Sequence, residues 1–278
     1  MRAQRLNAVA GLRWIAEAFA IFRVAPMRQL AFSLAFLFSL AVALSVPTVG
    51  FALVWLLIPA LMVGPHAIAR AAAGGARPPP GLLLAGFRRN LAAQLRLGGV
   101  YLGGMAAVLA ASVPADDGRF AQAMLGMARI DIEDLQNPGT QNAMMVVAGL
   151  QTLLLAALWY TPLLVAWKGI DVAKAVFFSA AATLINWRAF LAYSVGMTLL
   201  FTFVLMLALA GAMLFGGARA LQANSAAFAV LWTLLPVWFA SSYLSYRDVF
   251  EADSSDSSED DAANATGEGP PKSPTIPP

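Results

Sequence analysis

Six long apolar runs dominate the sequence, and none of them contains an aspartate, glutamate, lysine or arginine. They cover residues 30–46, 50–69, 97–113, 143–167, 189–215 and 226–246. A helix needs about 17–25 predominantly apolar residues to cross a bilayer. With 60% hydrophobic and 12% charged residues, the chain has too few polar side chains to cover a water-facing surface. The pattern predicts an all-α polytopic membrane protein with six transmembrane helices within residues 1–250.

The lysines and arginines predict the orientation of these helices, because basic residues concentrate on the cytoplasmic side of membrane proteins. If the chain begins in the cytoplasm, all but three of its 18 lysines and arginines lie on that side, and only Arg119, Arg129 and Arg219 lie outside. Both termini are therefore predicted to be cytoplasmic. A signal peptide cleaved near residues 41–43 is a disfavoured alternative, since the basic leader alone is as long as a whole signal peptide of about 15–30 residues.

Three prolines occupy matching places in three similar segments. Pro59, Pro162 and Pro236 each lie shortly before the cytoplasmic end of the second, fourth and sixth run. The segments that enter the other runs also correspond, namely FRVAPMRQL (22–30), FRRNLAAQL (87–95) and TLINWRAFL (183–191). We interpret the chain as three pseudo-repeats of an amphipathic interfacial helix followed by a helical hairpin. Because proline leaves the carbonyl four residues earlier without its helical partner, each proline is predicted to kink a returning helix.

Each predicted interfacial helix has apolar residues at helical spacing. The three sets are Leu12, Ile15, Phe19 and Phe22; Leu83, Phe87, Leu91 and Leu95; and Val172, Val176, Ala180, Leu184 and Trp187. Asp171 is predicted to cap the third helix, because an aspartate before the first turn accepts a bond from its free N–H groups.

Cations and aromatic residues on these helices are candidate contacts for anionic lipid headgroups. They are Arg13, Trp14, Arg23, Arg88, Arg89, Trp187 and Arg188. Each cation near an anionic leaflet contributes about 1 kcal/mol to membrane attraction. The same residues could also serve only to seat the protein in the membrane.

Small residues recur at four-residue spacing in the first, third and fifth run. The sets are Ala31, Ala35, Ser39 and Ala43; Gly99, Gly103, Ala107 and Ala111; and Ser194, Thr198 and Thr202. Small side chains let helices approach closely in lipid, so these three helices are predicted to form the inner bundle. The hydroxyls of the last set have two interpretations: they line a polar path, or they bond within a packed core.

The sequence contains no motif for catalysis or cofactor binding. His66 is the only histidine and cysteine is absent, which does not favour a metal site with several converging ligands. The acids of residues 114–140 lack calcium-loop spacing and are interpreted as solvated surface residues. The protein is predicted to be non-enzymatic, to need no cofactor and not to bind nucleic acid, which requires a basic soluble face. Residues 251–278 are acidic and rich in serine and proline, which predicts a disordered cytoplasmic tail.

Three stretches carry a resemblance to known proteins: the segment around Trp14, Phe19, Phe22 and Pro26; GFRRNL (86–91); and TPLLVAWKGIDVAKAVFFSAAATLINWRAFLAY (161–193). In these stretches the chain resembles an uncharacterised family of small six-span proteins of the proteobacterial inner membrane. The likeness covers about residues 10–250 and implies a location in the bacterial cytoplasmic membrane. The family has no assigned activity, so the resemblance implies no catalytic residue.

Two functional hypotheses follow. The first is that the protein acts through the lipid bilayer, anionic lipids or partner proteins at the inner leaflet. The alternative is a transporter or exporter of a small neutral or amphipathic solute. A transporter predicts a cavity lined by Ser194, Thr198 and Thr202, whereas a scaffold predicts that these hydroxyls are paired in a tightly packed core.

Overall fold

The computed structural model of the protein describes residues 3–88, 90–216 and 223–251. All regular elements within these ranges are helical. In chain order they are α1 (Ala8–Val24), α2 (Pro26–Leu44), α3 (Val49–Ala73), α4 (Ala85–Arg88), α5 (Leu91–Asp116), α6 (Arg119–Met124), α7 (Ile132–Gln136), α8 (Pro138–Ala157), α9 (Thr161–Lys168), α10 (Val172–Ile185), α11 (Trp187–Gly216) and α12 (Ala223–Phe250). A 3₁₀ helix, Pro80–Leu84, precedes α4. The predicted acidic tail lies outside the described residues, apart from Glu251.

Five helical stretches are long and apolar enough to cross a membrane. They are Pro26–Leu44, Val49–Ala73, Leu91–Asp116, Pro138–Lys168 and Trp187–Gly211. These stretches coincide closely with the first five predicted runs, so the prediction of an all-α membrane protein with several crossings is confirmed. The sixth run lies within α12, a helix of 28 residues.

The described bundle is organised around α3. This helix packs against α2, α5, α9 and α12, and α12 in turn packs against α1, α2 and α11. Only 6% of the apolar part of α11 and 17% of that of α2 are buried, compared with 44% for α3. The prediction that the first, third and fifth runs form the inner bundle is therefore wrong, because α2 and α11 lie at its periphery.

The small-residue stripes face outward in the folded chain. The exposed members include Ala31, Ala35 and Ser39 of α2 and Gly99, Gly103, Ala107 and Ala111 of α5. The close approach of α5 to α3 is made by the adjacent Gly98, where a β-carbon would overlap the backbone carbonyl of Leu56. Four-residue spacing marks one face of a helix but does not say which neighbour that face meets, so it could not distinguish Gly98 from Gly99.

The first two interfacial helices differ from the helices that the sequence predicts. In α1, Trp14, Ala18 and Ile21 are buried, whereas Leu12 is exposed. The second predicted helix is not continuous: the 3₁₀ helix and α4 end before Asn90, whose φ of 53° interrupts the chain ahead of α5. Glycine-rich and proline-rich residues before this point favour turns over a long helix.

The third interfacial helix is present as α10, and the predicted cap is confirmed. The Asp171 carboxylate accepts a hydrogen bond from the Ala173 backbone N–H at 3.0 Å. The buried face of α10 nevertheless carries small and hydroxyl residues such as Ala175 and Ser179, while Leu184 is exposed. Lipid is as apolar as a protein core, so an apolar stripe need not face the protein.

A polar cluster ties the two ends of the described chain together. Asp248, near the end of α12, accepts bonds from the Arg13 guanidinium at 2.9 Å and from the Trp14 indole N–H at 3.0 Å. Arg247 bonds both Asp248 and Glu17. We call these five residues the anchor network.

Backbone hydrogen bonds extend this tie along the N-terminal segment. The Gln4 N–H donates to the Val249 carbonyl at 3.0 Å, and the Leu6 N–H donates to the Asn186 side chain at 2.7 Å. The Asn186 amide in turn donates to the Gln4 carbonyl. Both ends of the described chain therefore lie at the same face of the bundle.

The connection between α5 and α8 folds into the short helices α6 and α7. Asp131 and Asp134 form a capping box at the start of α7, and Asp134 also pairs with Arg119 at 2.7 Å. Thr48, in the turn between α2 and α3, donates its backbone N–H to the Leu125 carbonyl. In the described residues no group of three or more acidic or histidine side chains converges on a metal position.

Candidate functional site

The helix that contains Pro162 is interrupted within the bundle. α8 ends at Ala157 and α9 begins at Thr161, with a turn over Leu158–Tyr160 between them. The other two matched prolines differ, because Pro59 lies inside the continuous α3 and Pro236 inside the continuous α12. All three prolines are buried. The kinks predicted at Pro59 and Pro236 stay predictions.

Side chains from neighbouring helices satisfy the backbone at this interruption. Pro162 cannot donate to the Leu158 carbonyl, which instead accepts the Thr161 N–H at 3.1 Å within the turn and the Tyr101 hydroxyl at 2.9 Å. The Pro162 carbonyl accepts the Gln94 amide at 3.0 Å. The Tyr160 N–H donates to the Ser179 hydroxyl at 3.0 Å. An interrupted helix is stable at membrane depth only with such partners, since lipid offers none.

A cavity of about 240 Å³ lies beside the interruption. We call it the central cavity, because α3, α5, α8, α9 and α12 all contribute to its wall. Most of the wall is apolar, with the indole rings of Trp55, Trp159 and Trp238 and the aliphatic side chains of Ile58 and Leu155. No charged residue lines it among the described residues. A site of this kind suits a neutral molecule, because a charged ligand would lose its hydration without gaining a partner.

The polar part of the central cavity is a hydrogen-bonded pair, His66 and Ser242. The His66 Nδ1 lies 2.7 Å from the Met62 carbonyl, which can only accept, so Nδ1 carries the proton. In the neutral ring Nε2 then accepts the Ser242 hydroxyl, at 2.9 Å. His66 also packs edge-on against Phe239. Donating to His66 leaves the Ser242 oxygen able to accept a further hydrogen bond.

The predicted hydroxyl stripe does not line this cavity. Ser194, Thr198 and Thr202 are all exposed on the outer side of α11. The interpretations that they line a polar path or bond in a packed core are therefore wrong within one copy of the chain. The physical reason is that α11 packs on α1 and α12 through its other face, which carries Ala189 and Tyr193.

Two of the predicted headgroup contacts belong to the anchor network instead. Trp14 is fully buried, so its placement among the headgroup contacts is wrong. Its burial follows from packing against Phe190 and Tyr193 of α11 and from its bond to Asp248. Arg13 keeps half of its side chain exposed while it pairs with Asp248.

The remaining described candidates lie on the surface. Arg23, Arg88, Trp187 and Arg188 are exposed, and Arg89 lies outside the described residues. The Arg188 guanidinium stacks over the Trp187 ring at 5.4 Å. This pair stands at one end of an apolar surface groove of about 530 Å³ between α1 and α11.

We call this feature the α1/α11 groove. Its floor is formed by apolar residues of the two helices, among them Leu12, Leu191, Val195 and Leu199. The groove therefore combines a cation and an aromatic ring at one end with an apolar surface along its length. Aromatic rings and cations of this kind are typical of the interface between headgroups and acyl chains.

Sequence reasoning did not find Tyr101 or Ser242. Tyr101 lies in the third run and Ser242 in the sixth, and neither belongs to a recognisable motif. One signal was available for Tyr101: Pro162 has no N–H for the Leu158 carbonyl, which leaves this carbonyl open to a donor from a neighbouring helix, and a tyrosine hydroxyl is such a donor.

A probable inner membrane protein of Burkholderia thailandensis is 30% identical over 263 residues, which cover 90% of this chain and 94% of that protein. The chain belongs to the same family. The resemblance to a proteobacterial inner-membrane family is thereby confirmed. No model of a protein family matches the chain, and no solved structure matches it.

The family and the apolar helices together show in which membrane the protein lies. It is a multi-pass protein of the bacterial inner membrane. The solvent around its outer helices is therefore lipid, which explains how large apolar residues such as Phe177, Leu199 and Phe203 can be exposed in the folded chain.

Proposed function

We propose that the protein is a non-enzymatic integral membrane protein that acts through anionic lipids at the inner leaflet. The observation that supports this proposal is the α1/α11 groove, where the exposed Arg188 and Trp187 lie at one end of an apolar surface. A phospholipid would place its phosphate beside Arg188 and one acyl chain along Leu191 and Val195. Guanidinium groups suit phosphate because several of their N–H donors match its oxygens.

Lipid retention tests this function. Removing the charge with Arg188→Gln is expected to lower the retention of phosphatidylglycerol about fivefold, since one basic group contributes about 1 kcal/mol. Retention of phosphatidylcholine with the same acyl chains should not change. The measurement is native mass spectrometry of protein released from mixed nanodiscs.

A matched control is Arg96→Gln, which removes an exposed arginine outside the groove. It is expected to retain phosphatidylglycerol like the unchanged protein. A second variant, Val195→Trp, narrows the groove without changing its charge and should lower retention of both lipids. Equal retention in all variants would contradict the proposed lipid contact.

We also propose six crossings with both termini in the cytoplasm. α12 has 28 residues and would extend about 42 Å at about 1.5 Å per residue, which exceeds the apolar thickness of a bilayer. The shared face of the two chain ends supports an even number of crossings. The order of a short interfacial element followed by two long helical stretches, found three times, supports the pseudo-repeat.

Cysteine labelling tests this orientation, and the chain contains no cysteine to remove first. Single substitutions at the exposed Glu133 and Arg77 place a thiol on opposite sides of the proposed topology. In spheroplasts a membrane-impermeant maleimide should label Glu133→Cys directly, and Arg77→Cys only after lysis. Labelling of both from outside would contradict the arrangement.

A second candidate function is transport or export of a small neutral or amphipathic solute. The interruption between α8 and α9 beside the central cavity favours it, because membrane transporters commonly bind substrates next to discontinuous helices. Uptake of a neutral solute into proteoliposomes would test this function. A solute that enters the proteoliposomes faster than protein-free vesicles supports transport, and equal rates of entry oppose it.

A further inference from the structure

We infer that the central cavity binds a small neutral molecule with an apolar body and one hydroxyl or N–H group, which donates a hydrogen bond to the Ser242 oxygen. This site is separate from the α1/α11 groove, so it does not depend on the lipid contact proposed above. It also names the substrate class that the second candidate function would use.

The size of the cavity sets the size of the ligand. An engineered apolar cavity of about 150 Å³ in another protein holds benzene. The central cavity is about 240 Å³, which leaves room for a substituted aromatic ring. The indole rings of Trp55, Trp159 and Trp238 provide aromatic faces against which such a ring can pack.

The polar pair sets the chemistry of the ligand. Ser242 is buried and gives its own hydrogen to His66 Nε2, so its oxygen presents lone pairs rather than a donor. The His66 N–H is not available to a ligand, because Nδ1 donates its hydrogen to the Met62 carbonyl. Tyr101 offers no competing donor either, since its hydroxyl is bonded to the Leu158 carbonyl. Among these three residues the group left open to a ligand is thus an acceptor, and a ligand that donates one hydrogen bond complements them better than one that only accepts.

Tryptophan fluorescence in nanodiscs tests the inference with 4-bromophenol, whose bromine quenches nearby indoles, and with 4-bromoanisole, which lacks the donor. We expect saturable quenching by 4-bromophenol. Measured in a His66→Phe background, so that no Nε2 is left to accept in its place, Ser242→Ala should weaken 4-bromophenol binding about fivefold, the effect of losing one neutral hydrogen bond, and leave 4-bromoanisole unaffected. Equal loss for both probes, or no loss for either, would overturn the role of Ser242.

A matched pair of variants on α8 controls for partition of the probes into lipid. Leu155→Phe enlarges one side chain of the cavity wall, whereas Leu153→Phe adds the same group on the exposed face of the same helix. Saturable quenching should require a higher concentration of 4-bromophenol in Leu155→Phe and be unchanged in Leu153→Phe. Saturation that is unchanged in Leu155→Phe would place the ligand elsewhere and overturn the proposal. If Leu155→Phe does not fold, the comparison of the two probes in Ser242→Ala decides.

Retention of phosphatidylglycerol at Arg188 should be unaffected by Ser242→Ala, which keeps the two proposals distinguishable.

Discussion

Replacing Gly98 with alanine is expected to lower the free energy of unfolding by about 3 kcal/mol, the upper end of the range for an overpacked site. A β-carbon at this position would overlap the backbone carbonyl of Leu56, and backbone cannot move aside as a flexible side chain can. The substitution should therefore push α5 away from α3, the helix around which the bundle is organised. Titration of the detergent-solubilised protein with a denaturing detergent, followed by circular dichroism, measures the change.

The adjacent Gly99 provides the matched control. No atom lies within 4 Å of the position that its β-carbon would take. Gly99→Ala is therefore expected to leave stability unchanged or to raise it by up to about 1 kcal/mol through better helix propensity. If the two alanine variants unfolded alike, the close approach of α5 and α3 would be wrong.

Asp248→Ala is expected to lower the free energy of unfolding by about 3 kcal/mol. The variant removes the acceptor of the fully buried Trp14 indole N–H, and an unpaired buried donor costs about 1–3 kcal/mol. It also removes one of the two acids that pair with Arg13 and Arg247, but Glu17 stays in place and both guanidinium groups are partly exposed to solvent. Unfolding in the same detergent titration measures the loss.

Two further variants separate these contributions. Asp248→Asn keeps an acceptor for Trp14 and should restore part of the stability. Glu17→Ala removes the more exposed acid of the anchor network and should cost less than about 1 kcal/mol, as surface ion pairs do. A cost for Glu17→Ala as large as that for Asp248→Ala would contradict a central role for Asp248.

The features that sequence predicted well are local ones. Long uncharged runs have few alternatives to a membrane helix, so the helix positions followed from composition and length. The cap at Asp171 likewise depends on residues close in sequence.

The features that sequence did not predict depend on distant residues. His66 and Ser242 are 176 positions apart, and no local pattern links them. The buried faces of the helices were also missed, as Trp14 and Gly98 show. In a soluble protein the apolar side of a helix identifies its buried face, but in lipid both sides are apolar and only packing distinguishes them.

The tie between the two chain ends has a consequence for biogenesis. α1 is made before α2–α10, yet its main partners, α11 and α12, are made after them. α1 therefore lacks these partners until the intervening hairpins have been synthesised, and forming its contacts then closes a long loop of the chain. The packing of α1 can thus be completed only after α11 and α12 have been synthesised.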